Sequence, residues 1–171
     1  DMGPSVIRVA GLHESLRDLG IQVEDAGNID VRIAEEFHYG QKDRMYLEEI
    51  AQACCRLAEM VCLTLSEQKM PLILGGDHSI SAGSVAGTSA FYASKNEKIG
   101  LIWIDAHTDL NTPETSPSGN VHGMPLAAIL GNAETARRYA AAWAAQAHVR
   151  FRPLPADESP AGLAREAIRL Q

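Results

Sequence analysis

Asp105, His107 and Asp109 stand at alternate positions directly after the apolar run 99–104. On an extended backbone that spacing sends all three side chains to one side, whereas a helix would turn His107 away from the two aspartates. Two carboxylates and an imidazole suit a hard or borderline divalent cation such as Mn²⁺. Open α/β sheets hold their ligands just outside the carboxyl ends of strands, which is where this trio falls. The plainer reading, a polar strand end with solvated charges, explains these three residues but not the other motifs that accompany them.

The run 99–104 is β-branched, and only Gly100 interrupts its apolar character, so it reads as a parallel strand buried on both faces. Upstream, residues 72–74 read as a second short buried strand. They are followed by Gly75, Gly76, Asp77, His78 and Ser79, then by a small-residue helix opening at Ile80. Strand, glycine turn, helix and strand make a βαβ unit with a right-handed crossover. If its strands are neighbours, about 5 Å apart, His78 comes within reach of the Asp105 group. Asp77 reads as a turn or helix-start residue, not as a ligand.

The elements before this unit are less informative. Pro4 opens a helical pattern through Val6, Val9, Ala10, His13 and Leu16 or Leu19, and Gly20 stops it. Residues 21–23 read as a short strand and 25–39 as a polar loop, with His38 on the surface. Asp43 is placed to cap a long helix reaching about Lys69, with Leu47, Ile50, Cys54, Leu57, Val61 and Leu65 at helical spacing. After Asn111, residues 112–120 are turn-rich and polar. Such a loop after a ligand-bearing strand is more often functional than filler. A short helix follows over 126–130.

At 171 residues, 46% apolar and 22% charged, the composition is that of a soluble globular protein, large enough to bury a core. A net charge of −7 without a lysine or arginine block leaves no nucleic-acid footprint. Apolar runs are too short to span a membrane. Cys54, Cys55 and Cys62 fall in one predicted helix without CxxC spacing. Cys55 and Cys62, two helical turns apart on one face, read as small core residues, and three thiols without a disulfide framework suit an intracellular, cytoplasmic protein.

Taken together, the Gly-Gly-Asp-His-Ser at 75–79, the Asp-Ala-His-Thr-Asp at 105–109, the stretch 110–125 with its Ser-Gly-Asn-Val-His-Gly-Met-Pro ending, and the opening Asp-Met-Gly-Pro-Ser resemble the ureohydrolase superfamily. Within it, the 111–122 loop most resembles a bacterial-type arginase. The resemblance covers about residues 1–131. It implies an α/β fold, a three-layer sandwich with a central, mostly parallel sheet, carrying two Mn²⁺ at the strand ends. Carried over to this chain, His78 and Asp109 would bind one metal, His107 the other, and Asp105 would bridge them. Asn111, Ser116 and Ser118 would hold the amino-acid end of the substrate, and His122 would shuttle protons.

The implied reaction is hydrolysis of L-arginine to L-ornithine and urea by a hydroxide held between two metals. The chemistry is reasonable on its own terms. A metal pair lowers the pKa of water by many units, and imidazole titrates in the range needed to protonate a departing amine. Alternatives are another ureohydrolase, acting on agmatine or a guanidino acid, or a catalytically silent arginase-like partner protein. The resemblance further implies a homo-oligomer, a trimer or hexamer, without nucleic-acid or membrane partners.

Two departures qualify this expectation. The chain opens without a natural start and is expected to be incomplete at both ends. After Gly131 nothing matches the family's later Asp-x-Asp ligand pair or its guanidinium-facing glutamate, and Asp157 and Glu158, set between prolines, are not accepted as that pair. Residues 1–131 are therefore expected to form the N-terminal part of the α/β domain. Residues 132–171 form a divergent tail: an alanine-rich helix over 133–147, a strand over 148–152, a proline-rich break over 153–160 and a helix over 161–170.

Overall fold

The computed structural model describes residues 2–32 and 40–131. His38 and the elements expected over 132–171 lie outside the described residues. The chain order is α1 (Gly3–Val9), α2 (Leu12–Asp18), β1 (Gly40–Gln41), β2 (Arg44–Met45), α3 (Leu47–Ser66), α4 (Ile80–Ser94), a 3₁₀ turn (Val121–Gly123) and α5 (Pro125–Ile129).

The core is a helix seam. α3 buries Cys54, Leu57, Ala58 and Val61, the three-and-four spacing that puts side chains on one face. α4 meets it with Ala82, Gly83, Ala86 and Gly87, so the backbones approach closely. A Cβ on Gly83 would lie 2.7 Å from the Cys54 carbonyl oxygen. One on Gly87 would collide with the Ala58 carbonyl and stand 2.8 Å from Val61 Cβ. Val121 and Ala128 join Cys54 and Ala82 in one apolar cluster, which ties the 3₁₀ turn and α5 to the seam.

Burial pushes the Cys54 thiol up to about 12, and its Sγ sits 3.4 Å from the Ser79 carbonyl oxygen. It is an inert core group. Cys54 is buried on the apolar face of α3, whereas Cys55 and Cys62, expected as core residues, are only partly buried.

The expected parallel sheet is not formed among the described residues. Their only sheet is the antiparallel β1–β2 pair. Residues 72–74 and 99–104 lie outside any strand, as does 21–23. Ile102 is 86% and Ile104 91% exposed, so one face of the run read as buried on both is uncovered, while Trp103 on the other is half-buried. A β-propensity makes no ladder without a paired backbone, and among the described residues none pairs with these segments.

Smaller corrections follow local chemistry. The N-terminal helix is two, broken at Gly11 with φ +88°, a left-handed conformation that suits glycine. Asp43 does not cap α3. It pairs with Arg44, and α3 begins after Tyr46 at φ +58° and ends at Ser66.

Candidate metal centre

The turn 75–79 sets the first candidate ligand, His78. The Asp77 carboxylate accepts from the Ser79 amide at 3.0 Å and its hydroxyl at 2.5 Å, as expected of a turn residue. The His78 carbonyl accepts from the Ser81 amide and hydroxyl, fastening the turn to the start of α4. The His78 imidazole lies against Trp103, ring centroids 4.4 Å apart. Trp103, inside the apolar run, was not singled out from the sequence. A lone aromatic in an aliphatic run reads as core, and only its place beside His78 shows that it backs the imidazole.

Asp109 is placed by backbone strain and capping. Its φ is +51°, a region aspartate tolerates better than most residues. Its carbonyl accepts from the Leu126 and Ala127 amides at 3.1 and 3.2 Å, satisfying donors that the first turn of α5 leaves open. Asn111 N–H donates to the Gly123 carbonyl. The ligand segment is therefore docked on the 121–127 region through its main chain.

These constraints bring His78, Asp105 and Asp109 together. His78 Nδ1 lies 2.5 Å from Asp105 Oδ2 and 2.7 Å from Asp109 Oδ2. Asp109 is 5% exposed, and both His78 Nδ1 and Asp109 Oδ2 are buried with no hydrogen-bond partner. Close approach without hydrogen-bond geometry fits lone pairs aimed at a shared cation, since an orphaned buried carboxylate is costly otherwise. The three ligand atoms all lie within 4.8 Å of one another. Oxygen-ligand bonds of about 2.0–2.6 Å to a divalent ion span that separation.

His107 departs from the expected alternation. Its amide donates to Asp105 Oδ1 at 2.8 Å, which bends the chain, and its side chain is 82% exposed. Its Nδ1 is 3.2 Å from the same oxygen, so it touches the group only through Asp105. The His107 N–H, then its ring and the charge of His78, hold the Asp105 carboxyl below the usual carboxylate range.

His122 lies in the 3₁₀ turn, half-exposed, with Nδ1 3.6 Å from Asp77 Oδ2. Ser116 Oγ accepts from the Gly119 amide and Ser118 Oγ from the Asn120 amide, while Asn111 Oδ1 accepts from Thr115. These are turn roles, and each accepting serine hydroxyl still has a hydrogen to donate.

A half-buried imidazole between two carboxylates, at the end of an α4-anchored turn, defines a candidate divalent-cation centre. The Arginase family model matches residues 1–149. The chain is 48% identical over 132 residues to an arginase from Bacillus caldovelox, covering 77% of this chain and 43% of that protein. It is 50% identical over 131 residues to one from Bacillus subtilis, covering 77% and 42%. The native Bacillus caldovelox arginase structure superposes with a TM-score of 0.71 at 47% identity, over 78% of this chain and 44% of that one. Entamoeba histolytica arginase in complex with L-ornithine gives 0.66 at 30%, over 82% and 45%.

The chain belongs to the arginase family. It spans less than half the length of the curated relatives it matches. Among the described residues no helix is long and apolar enough to cross a membrane.

Proposed function

We propose that the chain carries the first-metal half of a manganese-dependent arginase site, for hydrolysis of L-arginine to L-ornithine and urea. The observation that carries this reading is the convergence of His78, Asp105 and Asp109, with its two orphaned buried ligand atoms, inside a family of hydrolases. The donor set fits a borderline or hard cation. When bound, such ions supply the Lewis acidity that makes water nucleophilic near neutral pH.

The chain's own residues do the rest. Asp105 and Asp109 offset cationic charge, and Trp103 keeps the His78 ring in place. Asn111, Ser116 and Ser118 offer neutral donors to the substrate's carboxylate end. His122, held near Asp77, passes a proton to the departing amine. In the assembled enzyme the helix seam belongs to one layer of a three-layer sandwich, with 72–74 and 99–104 in its parallel sheet.

His78, Asp105 and Asp109 give one cation three protein ligands, whereas Asp105 and His107 give a second only two. Calorimetric titration with Mn²⁺ should therefore show one tight site, and two tight sites would break that reading. Urea release should be measured from L-arginine, agmatine and a guanidino acid, with the protein alone and mixed with the complementary length of a relative. Preference for arginine in the mixture is expected, and equal or greater release from agmatine shifts the substrate assignment. The exposure of His107 favours a second reading, a silent arginase-like partner; mixed oligomers with a full-length relative and no added urea release would support it.

A further inference from the structure

The turn 75–79 uses only one oxygen of the Asp77 carboxylate. Oδ1 accepts both the Ser79 amide and the Ser79 hydroxyl, a bond pattern that a neutral asparagine closes as well. The other oxygen, Oδ2, faces a residue distant in sequence: it lies 3.6 Å from His122 Nδ1.

Both ends of this approach are seated by their own elements. Ser79 is buried, and the His78 carbonyl fastens the turn to α4. Val121 and Met124, on either side of His122, are buried too, and the Met124 amide donates to the Val121 carbonyl at 2.9 Å. The Gly123 carbonyl, next to His122, accepts from the Asn111 amide at 3.1 Å, so the same short turn is tied to the ligand segment. Two anchored turns thus hold a carboxylate and an imidazole at ion-pair distance, both side chains half-exposed. The separation exceeds a hydrogen bond of about 2.7–3.2 Å, but such bonds at reacting sites are often long before substrate binds and tighten afterwards.

A carboxylate facing one ring nitrogen of a neutral imidazole selects the tautomer with the proton on that nitrogen. We infer that Asp77 is a positioning residue for His122: Oδ2 holds the imidazole as the Nδ1–H tautomer and leaves Nε2 as the nitrogen that exchanges protons, while Oδ1 closes the turn carrying His78. One carboxylate thereby places both a cation ligand and a proton carrier. The use of His122 as that carrier rests on the proposed function; its tautomer does not.

The test is nitrogen and carbon NMR of the histidine rings in the metal-free full chain, at about pH 8, where an ordinary imidazole is neutral. The His122 signals are assigned by their loss in His122→Gln. Asp77→Asn keeps an oxygen for the Ser79 donors but offers His122 an N–H₂ in place of an acceptor. His122 should therefore change from Nδ1–H in the original protein to Nε2–H in Asp77→Asn. Ser79 amide exchange should stay slow in Asp77→Asn and speed up in Asp77→Ala, which loses both oxygens. The same His122 tautomer in the original protein and Asp77→Asn overturns the inference. So does a Ser79 amide as fast in Asp77→Asn as in Asp77→Ala, which reduces Asp77 to a turn residue. With the complementary length of a relative restored, Asp77→Asn should lower kcat for urea release on the order of tenfold and leave KM within about twofold. An Asp77-dependent tautomer without urea release from arginine would remove the proposed reaction and uphold the positioning.

Discussion

The α3–α4 seam and the run 99–109 are both rich in apolar residues, yet they are held in opposite ways. In the seam, glycines at 83 and 87 bring two backbones together, and Cys54 and Val61 are each 2% exposed. In the run, Ile102 and Ile104 face outward, and order comes from a few polar contacts around Asp105 and Asp109. Apolar composition buries a segment only where a matching surface exists. The candidate ligands Asp105 and Asp109 sit on the less-supported region, positioned by His78 from one side and α5 from the other.

Breaking the seam should have the largest effect. Gly87→Val forces a branched side chain into the Ala58 carbonyl and should cost about 3 kcal/mol of stability in denaturant melts. A loss below about 1 kcal/mol would show that the seam relaxes freely.

The ligand region should respond in binding instead. Asp109→Asn keeps a residue that tolerates positive φ, so the helical circular dichroism should hold. Mn²⁺ affinity should nevertheless fall on the order of a hundredfold, for loss of a charged ligand. Equal affinity in the variant removes Asp109 from the site.

Acid sharpens the contrast more gently. Asp105 is depressed below 3.8 in the folded protein, mainly by the His107 amide. A depressed carboxyl contributes stability above its unfolded value, and that contribution is lost as pH falls through the folded value. In metal-free protein the Asp105 carboxyl should therefore titrate below 3.8 by carbon-detected NMR. His107→Pro, which lacks the donating N–H, should raise it toward the ordinary range, and no change would mean that another group sets it.

Ile102→Thr should change stability least, within about 0.5 kcal/mol, because that side chain faces solvent. A loss of about 2 kcal/mol or more would mean that a ladder covers this face after all.

Much of the site was legible without coordinates. Gly-Gly-Asp-His-Ser at 75–79 and Asp-Ala-His-Thr-Asp at 105–109 are local patterns with a chemical reason, and His78 does meet the two aspartates. Asp77 as a turn residue was readable for the same reason. The helical period of α3 and the small residues of α4 were readable from local spacing, whereas their pairing with each other was not. His107 was misplaced because strict alternation assumes an extended chain, and the amide–carboxylate bond to Asp105 bends it. Trp103 went unnoticed because it matters only through His78, a neighbour distant in sequence.

The amino-acid sequence by itself determined which groups could ligate a cation, where the turns must fall and which helix faces are apolar, since these depend on residues within a few positions of one another. Tertiary structure alone decided that Asp109 is buried while His107 is not, that one face of the run 99–104 is left uncovered, and that Asp77 faces His122. Those outcomes depend on which surfaces meet, and burial, ladder pairing and ion pairs exist only between partners that folding has brought together.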